Sequence, residues 1–286
     1  MNKIFTFRPK KQTMADTKTR HTAFKQQRLK AWQPILTPKT VLPAFFVLGV
    51  LFVPIGIGLY IASNNVQQLI FDYTTCDTNP QIVSPVTAMT YNAATKVCSI
   101  TFTVPSDMPQ PVYLYYRLTN FTKTTDQFDS NAIIYPCGLI ANSYFSDVIS
   151  DLTPVSGPTK SVVKFSNANL AWPSDTNKFQ KSSMFSSVTG NISTLIFPPP
   201  QWISSFPLYK NGYTDKNFFD PSADQRFQVW MRPAGLPNFR KLWGSLSVDL
   251  LAGDYRIDIT NNFNVNTYGG TKSIVISTSP SWVERT

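Results

Sequence analysis

Residues 41–62 read Val-Leu-Pro-Ala-Phe-Phe-Val-Leu-Gly-Val-Leu-Phe-Val-Pro-Ile-Gly-Ile-Gly-Leu-Tyr-Ile-Ala, a stretch of 22 residues without a charged side chain. As a helix this stretch would be about 33 Å long, which matches the hydrocarbon core of a bilayer. Pro43 and Pro54 are compatible with a membrane helix, because neighbouring groups can satisfy the freed backbone. The stretch predicts a transmembrane helix between an N-terminal tail, residues 1–40, and a large domain, residues 63–286.

Charge on the two sides of this helix predicts its orientation. Residues 1–40 contain ten Lys and Arg and one acidic residue, whereas residues 63–286 contain 16 basic and 15 acidic residues. Basic flanks of membrane helices stay in the cytosol. We therefore expect a cytosolic tail and a luminal or extracellular large domain. A cleaved signal peptide is the alternative, although the apolar run is longer than a signal sequence and 40 residues precede it.

The positive charge of the tail fits a membrane surface rather than a nucleic acid. Anionic lipid headgroups attract basic segments beside a membrane helix. Residues 24–35 place Phe24, Leu29, Trp32 and Ile35 among polar residues, which is typical of a short helix at the membrane interface. A disordered basic linker is the alternative. Membrane lipid is thus an expected partner, and nucleic acid is not.

The large domain has the composition and the alternation of a β-structure. In Val97–Val104 the even-numbered residues are apolar or cysteine and the odd-numbered ones are mostly hydroxylated, which predicts a half-buried strand. Residues 86–91 would pair with it as a hairpin. A second hairpin is predicted from residues 246–250 and 255–259, and a further strand from residues 273–277. We expect a membrane-anchored, mainly β protein with two packed antiparallel sheets, sandwich-like, and long irregular loops.

The middle of the domain is less regular. Residues 150–240 contain many Pro, Ser and Asn residues and little periodicity. The stretch Phe197-Pro-Pro-Pro-Gln-Trp202 predicts a polyproline II segment on the surface.

Three cysteines lie in the large domain, at Cys76, Cys98 and Cys137. In an oxidising lumen pairing is expected, and a Cys76–Cys98 bond would tie the segment that leaves the membrane to the first hairpin. The loop it closes is worth on the order of 3 kcal/mol in the chain-entropy model. Cys137 would then be a buried free thiol, or the partner of a cysteine outside this chain.

Two acceptor sequons for N-glycosylation occur, at Asn120-Phe-Thr122 and Asn191-Ile-Ser193. Both lie on the side of the membrane predicted to be luminal, which favours modification of Asn120 and Asn191. Chance occurrence in a chain rich in Asn and Thr is the alternative.

The large domain lacks the residues of common catalytic systems. The only histidine is His21, in the tail, so a Ser-His-Asp or Cys-His nucleophile and a histidine-containing zinc site are excluded from the large domain. Gly269-Gly270-Thr271-Lys272 lacks the spacing of a phosphate-binding loop. Carboxylate pairs remain, and Asp249, Asp254 and Asp258 surround a predicted hairpin, where turn and surface roles are the default. We expect no catalytic residue, no metal and no cofactor.

Several ordered stretches resemble the cell division control protein 50 family, the β-subunits of type IV P-type ATPases that move phospholipids. They are His21-Thr-Ala-Phe-Lys-Gln-Gln-Arg-Leu-Lys-Ala-Trp-Gln-Pro-Ile35, Val53-Pro-Ile-Gly-Ile-Gly58, Tyr115-Tyr-Arg-Leu-Thr-Asn120, Pro136-Cys-Gly-Leu-Ile-Ala-Asn-Ser143, Val229-Trp-Met-Arg-Pro-Ala-Gly-Leu-Pro-Asn-Phe-Arg-Lys-Leu-Trp-Gly244 and Gly269-Gly-Thr-Lys-Ser-Ile-Val-Ile-Ser277.

The resemblance implies a noncatalytic subunit that forms a heterodimer with the ATPase α-subunit, helps it to leave the ER and supports aminophospholipid transport. By analogy, Arg28, Trp32, Arg232, Arg240 and Lys241 are candidates for partner contact, and the last three have loop ordering as the alternative. Family members carry a second membrane helix near the C-terminus, which is absent from this chain, and paired cysteines before Pro136, where residues 120–134 have none.

The resemblance also implies an integral membrane protein of the ER, the Golgi and the plasma membrane. Two other classes of function remain beside it. One is a membrane-anchored luminal hydrolase that uses Asp carboxylates. The other is a free-standing cargo-receptor or adhesion ectodomain.

Overall fold

A computed structural model describes residues 37–121, 133–180 and 196–279, and two compact units divide the chain at residue 57. Helix α1, Pro38–Asn64, contains the predicted membrane stretch and continues through both prolines. Its part from Val41 to Asn64 is long and apolar enough to cross a membrane. Its large apolar side chains are exposed, as a lipid-facing helix requires. The predicted interfacial helix over residues 24–35 lies outside the described residues.

The large domain is mainly β, as the sequence predicts. Its strands are β1 Gln68–Asp72, β2 Val86–Asn92, β3 Val97–Val104, β4 Val112–Leu118, β5 Ile133–Ile134, β6 Val148–Ile149, β7 Thr153–Ser156, β8 Ile196–Phe197, β9 Phe239–Leu246, β10 Gly253–Thr260 and β11 Lys272–Thr278. Short helices lie between them, namely α2 Leu139–Asn142, α3 Pro173–Thr176, α4 Pro200–Ser205 and α5 Gln225–Met231.

The first sheet has the strand order β1-β11-β4-β9, and all of its pairs are antiparallel. Strand β11 lies in the middle, and all seven of its residues are buried. It pairs on one side with β1, in the register Gln68 to Ser277, and on the other side with β4. The sheet therefore joins the first and the last strand of the domain.

The second sheet has the strand order β2-β3-β10-β6, and β7 also pairs with β10. Strand β3 alternates as predicted, with Cys98, Ile100, Phe102 and Val104 buried and the residues between them half-buried. The predicted hairpin of β2 and β3 is present. Alternation therefore identified both strands correctly, because one face of this sheet is buried and the other is not.

The two sheets share one hydrophobic core. Phe71 of β1 stacks on Phe102 of β3 with ring centroids 4.7 Å apart, and this contact joins the sheets. Tyr116 of β4 stacks on Phe145 at 3.9 Å. A large apolar side chain that is fully buried stabilises the fold by about 1.5–3 kcal/mol. The predicted class, a β domain of two packed antiparallel sheets, is confirmed.

The second predicted hairpin is wrong: residues 255–259 lie in β10, but of residues 246–250 only Leu246 lies in a named strand. Leu246 ends β9, which pairs with β4 in the first sheet, whereas β10 pairs with β3 in the second. Residues 247–252 thus connect the two sheets, and Leu250 bridges Met108 outside the named strands. Alternation shows which residues form a strand, but a tight turn and a crossover between sheets have similar local sequences.

A second aromatic core lies among the short helices, and it overturns the prediction of a surface polyproline segment. Pro200 begins α4, where a proline without an N–H is favoured, and Trp202 within the helix is 1% exposed. The Trp202 Nε1 donates to the Ala141 carbonyl over 2.8 Å. The members of this core are Ala141, Ile196, Trp202, Tyr209, Tyr213, Phe219 and Phe227. Tertiary burial of Trp202 therefore decides the conformation of this proline-rich stretch.

Cys76 and Cys98 form a disulfide with a Cα–Cα distance of 6.2 Å. It links the segment after β1 to β3, and both residues are buried. Cys137 is free and exposed, so the expectation of a buried thiol is wrong. Cys137 follows Pro136 in the irregular segment between β5 and α2, where its side chain is exposed.

Candidate functional site

The block of sequence from Val229 to Gly244 contains the end of α5, an exposed loop and most of β9. Asp224 caps α5, since its Oδ1 accepts from the Phe227 backbone N–H over 3.0 Å. The Trp230 Nε1 donates to the Ile140 carbonyl over 2.7 Å and fixes the far end of the helix. The helix ends at Arg232, whose backbone is extended.

Residues 232–238 form a loop that we call the proline loop. Each of its seven residues is exposed, and Leu236 is 71% exposed. Two contacts to the end of β4 hold it, because the Phe121 N–H donates to the Pro237 carbonyl over 3.1 Å and the Asn120 N–H donates to Asn238 Oδ1 over 2.8 Å. The proline loop is therefore an exposed apolar surface on a fixed backbone.

Lys241 orders this loop from beneath. Its Nζ donates to the carbonyls of Val229, over 3.0 Å, and of Arg232. These carbonyls belong to the last turn of α5, where a cation is favoured. Burial and the nearby charge of Arg232 lower the pKa of Lys241 to about 8, and Asp175 opposes the shift. These contacts favour loop ordering for this candidate.

Arg232 and Arg240 place their charges at the surface. The Arg232 Nη1 lies 3.6 Å from Asp175 Oδ2, and its guanidinium lies 5.6 Å from the ring centre of Trp172. Arg240 is exposed on β9, with its guanidinium 4.9 Å from the ring centre of Tyr115. A hydrogen bond from Lys178 lowers the pKa of Asp175, which keeps that carboxylate charged. Arg240 can therefore meet an acidic partner group directly, whereas Arg232 already faces the carboxylate of Asp175.

A cavity of about 320 Å³ lies beneath the proline loop. Phe121, Trp230 and Phe239 form its apolar walls, and Arg232 and Lys241 are the charged residues of its lining. Such a cavity can take an apolar side chain of a partner. Among its lining residues there is no histidine, cysteine or carboxylate.

Of the remaining candidates, Asn120 adjoins the proline loop and three lie outside the described part of the chain. Arg28, Trp32 and Asn191 lie outside the described residues. Asn120 is exposed at the end of β4 with a φ of 50°, a left-handed conformation that asparagine tolerates. Its Nδ2 donates to the Tyr268 carbonyl over 2.6 Å. The amide that would carry a glycan is thus also a structural group.

The carboxylates around β10 have structural partners. Asp254 accepts from the hydroxyls of Thr103 and Ser156, each over 2.6 Å, and these bonds, Ser156 first, lower its pKa. Asp249 accepts from the Gln110 N–H over 2.8 Å. A general acid needs a raised pKa, which is the opposite shift. Within the described residues, no group of three or more His, Cys, Asp or Glu could hold a metal ion.

The sequence reasoning missed a buried ion pair. The Lys272 Nζ lies 2.7 Å from Asp147 Oδ2, with the two side chains 2% and 0% exposed. One signal was available, because Lys272 begins the mostly apolar stretch of residues 272–277. The sequence alone drew attention to this lysine only as the last residue of Gly269-Gly270-Thr271-Lys272. No local signal marks Asp147, because its partners come from distant segments.

Comparison with known protein families matches residues 59–130 and 122–285 to the LEM3 (ligand-effect modulator 3) family / CDC50 family. The chain belongs to this family. It is 34% identical to a protein of Saccharomyces cerevisiae named phospholipid-transporting ATPase accessory subunit CRF1, over 94% of this chain and 79% of that protein.

Animal relatives show the same extent of similarity. Cell cycle control protein 50A of Bos taurus is 34% identical over 92% of this chain and 80% of its own length. Cell cycle control protein 50B of Homo sapiens is 34% identical over 92% of this chain and 84% of its own length. The resemblance inferred from the ordered motifs is confirmed.

Proposed function

We propose that this chain is the accessory β-subunit of a phospholipid-transporting type IV P-type ATPase and forms a heterodimer with its α-subunit. The observation that carries the proposal is the 34% identity, over 94% of the chain, to a yeast protein named as such a subunit. The apolar helix α1 supports a membrane-embedded complex. The subunit itself is noncatalytic, and ATP hydrolysis and lipid movement belong to the α-subunit.

Copurification tests this proposal. The tagged full chain is co-expressed with a type IV ATPase of the same organism and purified in detergent. We expect a one-to-one complex, and we expect deletion of the chain to retain the ATPase in the ER. An ATPase that purifies alone, leaves the ER and transports lipid normally without this chain would contradict the proposal.

The proposed topology has a cytosolic tail, residues 1–40, a membrane helix, and residues 63–286 in the lumen or outside the cell, in the ER, the Golgi and the plasma membrane. The excess of basic residues in the tail and the Cys76–Cys98 disulfide support it. In sealed microsomes, protease added outside should remove only the tail. Digestion of the large domain under these conditions would refute the orientation.

The proline loop with Arg232 and Arg240 is the proposed contact surface, and Lys241 supports it by ordering the loop. Exposed apolar residues on a fixed backbone lose little entropy when they bind. Leu236→Asp should therefore weaken copurification with the ATPase strongly, because it places an unpaired charge in the interface.

Val248→Asp is the matched control, since Val248 is 57% exposed but lies in the segment between β9 and β10. It should leave copurification unchanged. If both substitutions have the same effect, the proline loop is not the contact surface. Arg28→Glu and Trp32→Ala test the corresponding proposal for the tail.

A further inference from the structure

A second concave surface lies at the opposite end of α5 from the proline loop. This aromatic cleft has a volume of about 520 Å³, and its lining includes Tyr144, Phe206, Leu208, Tyr209, Arg226 and Trp243. Leu208 at its rim is 62% exposed. The cleft thus combines aromatic walls and an exposed aliphatic side chain with charged residues of both signs, namely Lys216, Arg226, Asp147, Asp220 and Asp224.

Arg226 is held in place by Trp243 and not by a salt bridge among the described residues. Its guanidinium carbon lies 3.9 Å from the ring centre of Trp243, and its Nε donates to the Trp243 carbonyl over 2.9 Å. In the described part of the chain, no carboxylate lies within 4.0 Å of this guanidinium. Its two terminal nitrogens have no hydrogen-bond partner among the same residues.

A half-buried arginine in this state is unusual. Burial lowers the pKa of Arg226, but a guanidinium keeps its proton in proteins and so stays charged. A desolvated charge without a counter-charge costs stability. Stacking on Trp243 orients the two terminal nitrogens of Arg226 so that they can bind an anion. A carboxylate that paired with them would offset the free-energy cost of desolvating the guanidinium.

The acidic residues of the cleft are engaged with other groups. Asp147 pairs with Lys272, and Asp220 accepts from the backbone N–H and the hydroxyl of Ser222 over 2.9 and 2.7 Å. Asp224 caps α5 and accepts from the Tyr144 hydroxyl over 3.3 Å. The charges of Asp224 and of Asp151, which lies outside the lining, raise the pKa of Arg226, but neither carboxylate forms an ion pair with it among the described residues. The carboxylates of the cleft would repel a ligand with more than one negative charge.

We propose that the aromatic cleft binds a segment of the ATPase α-subunit in which an Asp or Glu lies beside an apolar residue. The carboxylate would pair with the two terminal nitrogens of Arg226 in the bidentate geometry that a guanidinium favours. The apolar residue would contact Phe206, Leu208 and Tyr209. This inference rests on the proposed function, since it names a second contact of the same heterodimer.

The chemistry favours a peptide carboxylate over a lipid phosphate. Arg226 balances the single charge of a carboxylate. The other cation among the lining residues is Lys216, and Asp220 and Asp224 offset it, whereas phosphate groups usually collect several cations or backbone N–H donors. Aromatic residues and arginine are also the side chains enriched at the centres of protein interfaces. Both features agree with a docked protein segment.

Photocrosslinking of the full chain tests the inference. A benzophenone amino acid replaces Leu208 in cells that express the ATPase, and the crosslinked peptide is identified by mass spectrometry. We expect a peptide of the α-subunit that contains Asp or Glu within three residues of the crosslinked position. With Arg226→Gln the crosslink should fall by about tenfold or more, the usual cost of losing one partner of a desolvated charge pair.

Two further variants serve as controls. Arg256→Gln alters an exposed arginine that lies 3.4 Å from Asp258 and should leave the crosslink unchanged. Arg226→Lys keeps the charge but loses the bidentate geometry, so it should give an intermediate yield. Thermal unfolding and the Cys76–Cys98 bond show whether each variant is folded, and the unaltered Arg226 chain identifies the occupant even if the variants unfold.

Several outcomes would overturn the inference. A crosslink to residues 122–132 of the same chain, to lipid, or to an α-subunit peptide without an acidic residue identifies a different occupant. No crosslink in a copurified heterodimer means that the cleft stays empty, and the proposed function survives. Failure of the heterodimer to form removes the proposed function and, with it, this inference.

Discussion

Lys272 and Asp147 form a salt bridge of 2.7 Å in the interior of the β domain. The same carboxylate accepts from the Tyr73 hydroxyl over 2.9 Å and from the backbone N–H groups of Asn262 and Phe263, each over 2.6 Å. Lys272 in turn donates to Asn261 and to the Phe263 carbonyl. This network joins the segments after β1, α2 and β10 to the central strand β11.

Removal of the lysine should destabilise the protein strongly. Lys272→Met leaves the Asp147 carboxylate buried without its counter-charge, which costs about 3–5 kcal/mol. Thermal and urea unfolding of the purified full chain, followed by tryptophan fluorescence, measure this loss. The exposed pair Arg256–Asp258 is the control, and Arg256→Gln should cost about 0–1 kcal/mol. Equal stability of the two variants would show that the buried network is dispensable.

Lys241 should make stability depend on pH above neutrality. Burial lowers its pKa to about 8 in the folded state, against 10.5 for an ordinary lysine. Between these values the unfolded chain binds more protons than the folded chain, so this residue makes the folded state more stable as pH rises through that window.

The difference in stability between the wild type and Lys241→Met isolates this effect. Measured at several pH values from 7 to 11, it should move in favour of the wild type above about pH 8 and level off near 10.5. A difference that does not change with pH would mean that Lys241 titrates alike in both states.

Two glycines of the same sequence block should respond differently to alanine. A Cβ on Gly244 would lie 2.8 Å from the Phe165 Cβ and 3.3 Å from the Ser166 carbonyl, whereas a Cβ on Gly235 meets no atom within 4 Å. Gly244→Ala should therefore cost about 1–3 kcal/mol. Gly235→Ala should change the free energy of unfolding by less than about 0.5 kcal/mol. Urea unfolding of both variants measures these changes. Similar free energies of unfolding would show that β9 can shift to accommodate a Cβ at residue 244.

Asn120 should contribute to the stability of the fold as well as carry a glycan. Asn120→Gln and Thr122→Ala both abolish the sequon, so both should lose the same glycosidase-sensitive mass if Asn120 is modified. Only Asn120→Gln also removes the bond to Tyr268 and the tolerance of a left-handed backbone, at about 1–2 kcal/mol. Gel shifts and thermal unfolding separate the two effects. Equal stability of the variants would contradict the structural role.

Local sequence predicted those parts of the fold that depend on local pattern. The membrane stretch and the alternation of β3 are visible in a few neighbouring residues, and both are present. In both cases a short window of sequence contains the deciding property. The Cys76–Cys98 bond was also predicted, although three cysteines allow three pairings.

The remaining features depend on contacts between distant residues. Trp202 turned a proline-rich stretch into a buried helix because the second aromatic core surrounds it. The partner of β10 is β3 rather than the preceding strand. The stacking of Arg226 on Trp243 likewise depends on how α5 packs against β9. Ordered motifs did locate the proline loop, but they did not show that Lys241 lies beneath it.

The pairing of β1 with β11 governs how the β domain is made. Gln68 and Ser277 are register partners, so about 200 residues must be translated between the two halves of this pair. At about 5–20 residues per second, the nascent chain spends on the order of 10–40 s with its early strands uncovered. Chaperones of the compartment must protect them during that delay. A premature stop codon before residue 272 would therefore yield a chain that quality control recognises and degrades.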